Sequence, residues 1–203
     1  LLVEGPGLGH VVADVLEPFR PPVMSFHFGL PADDLLARVR GWGTTILATA
    51  TSVEEGRWLE ARGVDAVIAQ GYEAGGHRGH FLSDDLAGAL GTIALVPQLV
   101  RALRTPVIAA GGIADAQGVA AALALGAAAV QVGTAYLLCP EATTSAVHRA
   151  ALQGEQARHT AYTNLLSGRP ARGIVNRVMR ELGPLNPLAP AFPLATAALA
   201  PLR

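Results

Sequence analysis

No lysine occurs in this chain of 203 residues; all fifteen basic residues are arginine. A Schiff-base aldolase, a pyridoxal phosphate enzyme and a Walker A nucleotide site each need a lysine amine, so those chemistries are closed to it. Cysteine is nearly as scarce. The single Cys139 can form neither an internal disulfide nor a multi-cysteine zinc cluster, and with no base assigned beside it, it reads as a packed thiol. Charged residues make up 15% and aromatic residues 5%, against 51% hydrophobic, a composition with ample material for a core. The formal net charge of -1 comes with no basic arm or stripe, so neither nucleic acid nor an anionic membrane is an expected partner. No apolar run reaches about 18 residues, and a reducing cytoplasm is the expected location. His80, His148 and His159 share no ligand spacing, so no metal is expected.

What the sequence does contain is an alternation of short apolar strands and helices. Val23–Phe28 is the first strand, followed by a helix over Pro31–Val39 with proline in its first turn. Thr44–Ala50 leads to a helix over Val53–Ala61, capped by Ser52 and ended by Gly63. Ala66–Gln70 follows; a helix over Ile93–Leu103 then leads to Pro106–Ala110, and Asp115 caps a helix over Ala116–Leu125. Ala128–Val132 closes a series of five strands, at the spacing that βαβ units and a parallel sheet require.

Two stretches carry chemistry. Ala69–Gly79 (AQGYEAGGHRG) joins a buried strand to a glycine-paired loop holding His77, and parallel α/β folds place their reactive groups in such loops. Glu73 either orients His77 or bonds loop N–H groups, the structural role being favoured. His27 and Ser25 share one strand face, so His27 either borders a pocket or is a core histidine. The second stretch is a pair of glycine turns, Gly111–Ile113 and Gly133–Thr134, at the ends of consecutive strands. Glycine lets backbone N–H groups approach an anion, the helix after Asp115 adds its positive end, and Thr134 adds a hydroxyl. Such turns form the phosphate cradle after strands 7 and 8 of a TIM barrel.

AQGYEAGGHRG at 69–79, PVIAAGGIAD at 106–115, LALGAAAVQVGTAYL at 123–137 and SGRPARGIVN at 167–176 together resemble the nitronate monooxygenases, in the family's order and over about Val23 to Asn176. The resemblance implies an FMN-dependent TIM barrel that oxidises alkyl nitronates, and in some members nitroalkanes, with O2 to a carbonyl compound and nitrite. Carried over by position, Gln70 and Gly75 contact the flavin, while Gly112 and the segment Gln131, Val132, Gly133, Thr134 hold its phosphate. His77 is then the catalytic base, a role for which imidazole has a suitable unperturbed pKa. Arg169 and Arg172 read more simply as surface groups that pin their segment.

A complete TIM barrel has eight strands, so the expected fold is an α/β TIM (β/α)8 barrel lacking about three N-terminal βα units, on the order of 90 residues. The expected division is five βα units over 1–140 and a helical extension with a Pro/Ala-rich tail over 141–203, extended or weakly ordered after about Gly183. An open five-stranded sheet leaves two apolar edges, so a fragment of a longer protein is the simplest expectation. Two other readings stay open: an FMN-dependent enoyl-acyl-carrier-protein reductase, and a non-catalytic flavin- or phosphate-binding fragment. A non-redox TIM-barrel isomerase or lyase shares the cradle but accounts less well for the histidine loop.

Overall fold

The structure, a computed structural model, describes residues 1–4 and 7–199. In chain order the elements are β1 (Leu2–Glu4), α1 (His10–Leu16), β2 (Val23–His27), α2 (Asp33–Gly41), β3 (Thr45–Ala50), α3 (Val53–Ala61), β4 (Ala66–Gln70) and β5 (Gly76–His77). They continue with α4 (Thr92–Ala102), β6 (Val107–Ala110), α5 (Ala116–Ala124) and β7 (Ala129–Gln131). Last come α6 (Ala146–Gln153), β8 (Thr160–Thr163), β9 (Ala171–Ile174), α7 (Arg177–Leu182) and α8 (Ala195–Ala198). Two compact units emerge: Leu1–Glu73 with Gly79–Gln131, and Ala74–Arg78 with Val132–Arg203.

In the larger unit the described strands form one six-stranded sheet in the order β1-β2-β3-β4-β6-β7, and all pairs are parallel. Helix boundaries follow local chemistry. The Ser52 hydroxyl accepts from Glu55 N at 3.2 Å to start α3, and Asp115 accepts from Gly118 N at 2.8 Å to start α5. On α2, Asp33 and Asp34 stand in the first turn and Arg38 and Arg40 in the last, each sign matching the nearby end of the helix dipole. That helix begins at Asp33 rather than Pro31, because Ala32 keeps an extended backbone as its N-cap.

One sheet face is apolar. Met24, Phe26, Ile46, Ala48, Val67 and Ala109 are buried and belong to the same core as Leu35, Val39, Leu59, Leu95 and Leu99 of the helices. Removing each large side chain of this set from water contributes about 1.5–3 kcal/mol. Strand β4 is buried at every position, as expected for the middle of a parallel sheet covered on both faces.

Three features depart from the sequence expectations. Leu2–Glu4 pairs with β2 as a sixth strand, a run too short to be distinguished by periodicity. The smaller unit is helical in part, but it also holds an antiparallel sheet in the order β5-β9-β8. SGRPARG therefore runs into its central strand. Beyond Gly183 the chain ends its described part in α8, whose Ala195 is fully buried and whose Thr196 hydroxyl donates to Leu166 O at 3.0 Å; residues 200–203 lie outside the described residues. Among the described residues no helix is long and apolar enough to cross a membrane.

Candidate active site

The second face of the parallel sheet is polar at its C-terminal end. Register aligns Gln70 with Ala110 and Ala110 with Gln131, so the two glutamines lie on one row with one strand between them, roughly 10 Å apart at two strand spacings. His27 and Thr49 stand on the same face, and His27 Nδ1 lies 3.1 Å from Thr49 Oγ1. Its ring also tilts against Phe28, at a centroid distance of 4.5 Å. Over this group passes Gly79, whose N–H donates to Gln70 Oε1 at 2.8 Å. A Cβ at Gly79 would lie 2.6 Å from His27 Cε1 and 2.8 Å from Thr49 Cγ2, so any larger residue would force these side chains to shift. His27 thus takes the role of a hydrogen-bonded sheet histidine, bonded to the Thr49 side chain.

Glu73 acts structurally. Its carboxylate accepts from the Thr92 N–H at 2.9 and 3.0 Å, supplying α4 with the N-terminal acceptor that its N-cap Gly91 lacks. The Thr92 hydroxyl lies 3.1 Å from Glu73 Oε2 and 2.8 Å from Gly111 O, tying the loop after β4 to the loop after β6. Gly111 and Gly112 both have positive φ, +109° and +71°, and a Cβ at Gly112 would come within 3.2 Å of Glu73 Cβ. Gly112 is exposed, so its backbone faces outward from a braced turn.

A second pair of loops is braced by another carboxylate. Glu55 is 2% exposed and accepts from Thr51 N at 2.6 Å, Thr51 Oγ1 at 2.8 Å and Phe81 N at 2.6 Å. This joins the end of β3 to the segment just after Gly79.

The smaller unit holds His77, Gly75, Val132, Gly133 and Thr134. His77 is half-buried in β5, paired with Ala171 of β9, and its Nε2 lies 2.7 Å from Ser167 Oγ. The Phe192 ring meets the imidazole edge-on at 5.6 Å and 81°. A Cβ at Gly75 would lie 2.7 Å from Thr134 Oγ1, so the glycine permits a close approach to that hydroxyl. Val132 is half-buried; Gly133 and Thr134 are exposed at the start of a 3-10 turn over Thr134–Leu138, and a Cβ at Gly133 meets nothing within 4 Å. Nearby in this sheet, Arg172 lies over the Tyr162 ring at 4.5 Å and donates to Thr160 Oγ1 at 3.0 Å. Burial pushes the Tyr162 hydroxyl pKa up, and Arg78 and Arg172 offset part of that rise.

Thr92, Glu55, Thr49 and Ser167 were not among the expected site residues. Only Ser167 had a sequence signal, its position in SGRPARG. The partners of the others are set by the meeting of separate βα units.

A parallel sheet of βα units with its polar groups gathered at the strand C-terminal ends is the architecture of TIM-barrel proteins. The sequence model of the nitronate monooxygenase family matches residues 9–203, and the chain belongs to that family. It is 49% identical over 178 residues to a nitronate monooxygenase of Paraburkholderia phytofirmans, covering 87% of this chain and 48% of that protein. Among solved structures, a nitroalkane oxidase from Streptomyces ansochromogenes superposes with a TM-score of 0.87 at 43% identity, covering 99% of this chain and 59% of that one. FabK from Thermotoga maritima gives 0.73 at 33% identity, covering 90% and 55%. The chain spans about half the length of the curated relatives it matches.

Proposed function

We propose that the protein to which this chain belongs is an FMN-dependent oxidoreductase that oxidises alkyl nitronates with O2 to a carbonyl compound and nitrite, and that it also accepts neutral nitroalkanes. The observation that carries the reading is the 49% identity to a nitronate monooxygenase across 87% of the chain. The name of the Streptomyces relative, a nitroalkane oxidase, supports the second substrate class.

The residues present fit a flavin mononucleotide. Gly112 offers exposed backbone in a braced left-handed turn, and Gly133 and Thr134 offer exposed backbone and a hydroxyl with open space where a Cβ would stand. Gly112, Gln131, Val132, Gly133 and Thr134 would hold the phosphate, and Gln70 and Gly75 would contact the flavin. When bound there, FMN would supply the redox chemistry between substrate and O2.

His77 is the proposed catalytic base. With a neutral nitroalkane it takes the α-proton, leaving the nitronate anion. With a nitronate supplied as the anion no proton is removed, and the protonated imidazole serves as a hydrogen-bond donor and positive neighbour for it. Nitrite release from propyl-2-nitronate under air, without NADH consumption, supports this function; NADH consumption with an enoyl thioester and no nitrite would favour the enoyl-acyl-carrier-protein reductase reading. Flavin retention without either turnover would favour a binding fragment.

A further inference from the structure

We infer that Thr92 is a positioning residue for the cofactor's phosphate: its hydroxyl holds the Gly111–Gly112 peptide so that the Gly112 N–H faces outward as a donor for that anion. The inference rests on the reading of Gly112 as a phosphate contact and adds the side chain that aims it.

A threonine hydroxyl has one proton to donate. Three acceptors surround Thr92 Oγ1: Gly111 O at 2.8 Å, Glu73 Oε2 at 3.1 Å and Ala110 O at 3.5 Å. Two of them are already served. Ala110 O accepts from the Gly71 N–H at 2.9 Å, and the Glu73 carboxylate accepts from the Thr92 N–H. Gly111 O is the closest of the three and, among the described residues, takes no other hydrogen bond. The proton therefore goes to Gly111 O. Thr92 is 7% exposed, and its hydroxyl is wedged against the loop after β4, where a Cβ at Gly71 would lie 2.0 Å from Oγ1.

Peptide geometry carries that contact one residue further. The Gly111–Gly112 peptide is trans, so its C=O and N–H point in opposite directions. With Gly111 O held on a buried hydroxyl, the Gly112 N–H is turned away from it, at an exposed residue. No acceptor among the described residues takes that N–H. Gly112 has φ +71°, and a Cβ there would press on Glu73 Cβ at 3.2 Å, so glycine keeps both the turn and the uncovered donor. A fixed, uncovered backbone N–H suits a phosphate oxygen, which forms short charge-assisted bonds with such donors.

Titrations of the full chain with FMN and with riboflavin, followed by flavin fluorescence, test this without substrate or turnover. Riboflavin lacks the phosphate, so the ratio of the two affinities separates the anion's share from any general loss of stability. Thr92→Val keeps the backbone N–H that Glu73 accepts from and removes the hydroxyl. It is expected to weaken FMN binding roughly tenfold and leave riboflavin binding unchanged, while Thr92→Ser recovers the FMN affinity. In amide NMR, FMN but not riboflavin is expected to shift the wild-type Gly112 resonance, and Thr92→Val to shrink that shift. FMN affinity unchanged in Thr92→Val, an equal loss of both flavins, or a Thr92→Ser no better than Thr92→Val overturns the inference and leaves the flavin reading standing. A wild-type chain that binds neither flavin, or binds FMN no more tightly than riboflavin, overturns the phosphate reading of Gly112 itself, and the inference with it.

Discussion

The Gly79 N–H donates to Gln70 Oε1 at 2.8 Å, so the residue proposed to contact the flavin also fastens the chain at Gly79 to the end of β4. Gly79→Ala would drive a methyl group into His27 Cε1 and Thr49 Cγ2. The expected cost is about 1–3 kcal/mol of stability, as for other overpacked sites. Gln70→Ala is expected to cost about as much by leaving the buried N–H without that acceptor. Urea unfolding of both variants measures this; midpoints equal to the wild type would show that the contact does not constrain the loop.

Glu73 gives a contrasting case, a polar residue next to the proposed site whose bonds serve a helix. Glu73→Ala should cost about 1 kcal/mol, the usual effect of losing an N-terminal acceptor, and speed amide exchange at Thr92. The His77 titration should not move. A changed His77 midpoint would return Glu73 to the site.

Gly168→Ala tests the turn beneath His77. Left-handed φ alone costs about 1–3 kcal/mol for a non-glycine residue, and the backbone contacts at 2.5 and 2.6 Å add to it. We expect the variant to lose hydrogen-exchange protection in β8 and β9 while protection in β2, β3 and β4 persists. Uniform loss across both sheets would contradict a local effect.

Tyr162 supplies a pH dependence. Because its folded pKa is raised above the ordinary value of 10.0, chiefly by burial, the folded state favours the neutral hydroxyl. That contribution is fully present below pH 10 and is lost as pH rises through the folded pKa. Alkaline titration at 295 nm should show one of the three tyrosines ionising late, and Tyr162→Phe should abolish the late phase and soften the alkaline fall in stability. Three tyrosines ionising together would refute it.

Much of the larger unit was legible in the sequence. Apolar runs with capping residues at their ends fix α3 at Val53–Ala61 and β4 at Ala66–Gln70 to the residue, because Ser52 and the buried run act locally. The antiparallel sheet was not legible: TAYT and ARGI mix small, polar and charged residues without a clean alternation, and their pairing partners are decided by tertiary contact. Site residues divided the same way. His77 stands out from its glycine loop, while Ser167 lies 90 positions further on and meets it only after folding.

The most direct test of the central claim is nitrite release from propyl-2-nitronate and from a neutral nitroalkane under air, after FMN is added and its visible spectrum confirms binding. The account predicts a bound-flavin spectrum, nitrite from both substrates, and a loss in His77→Ala that is far greater with the neutral nitroalkane. Bound flavin with no nitrite, or nitroalkane turnover unchanged in His77→Ala, would contradict it.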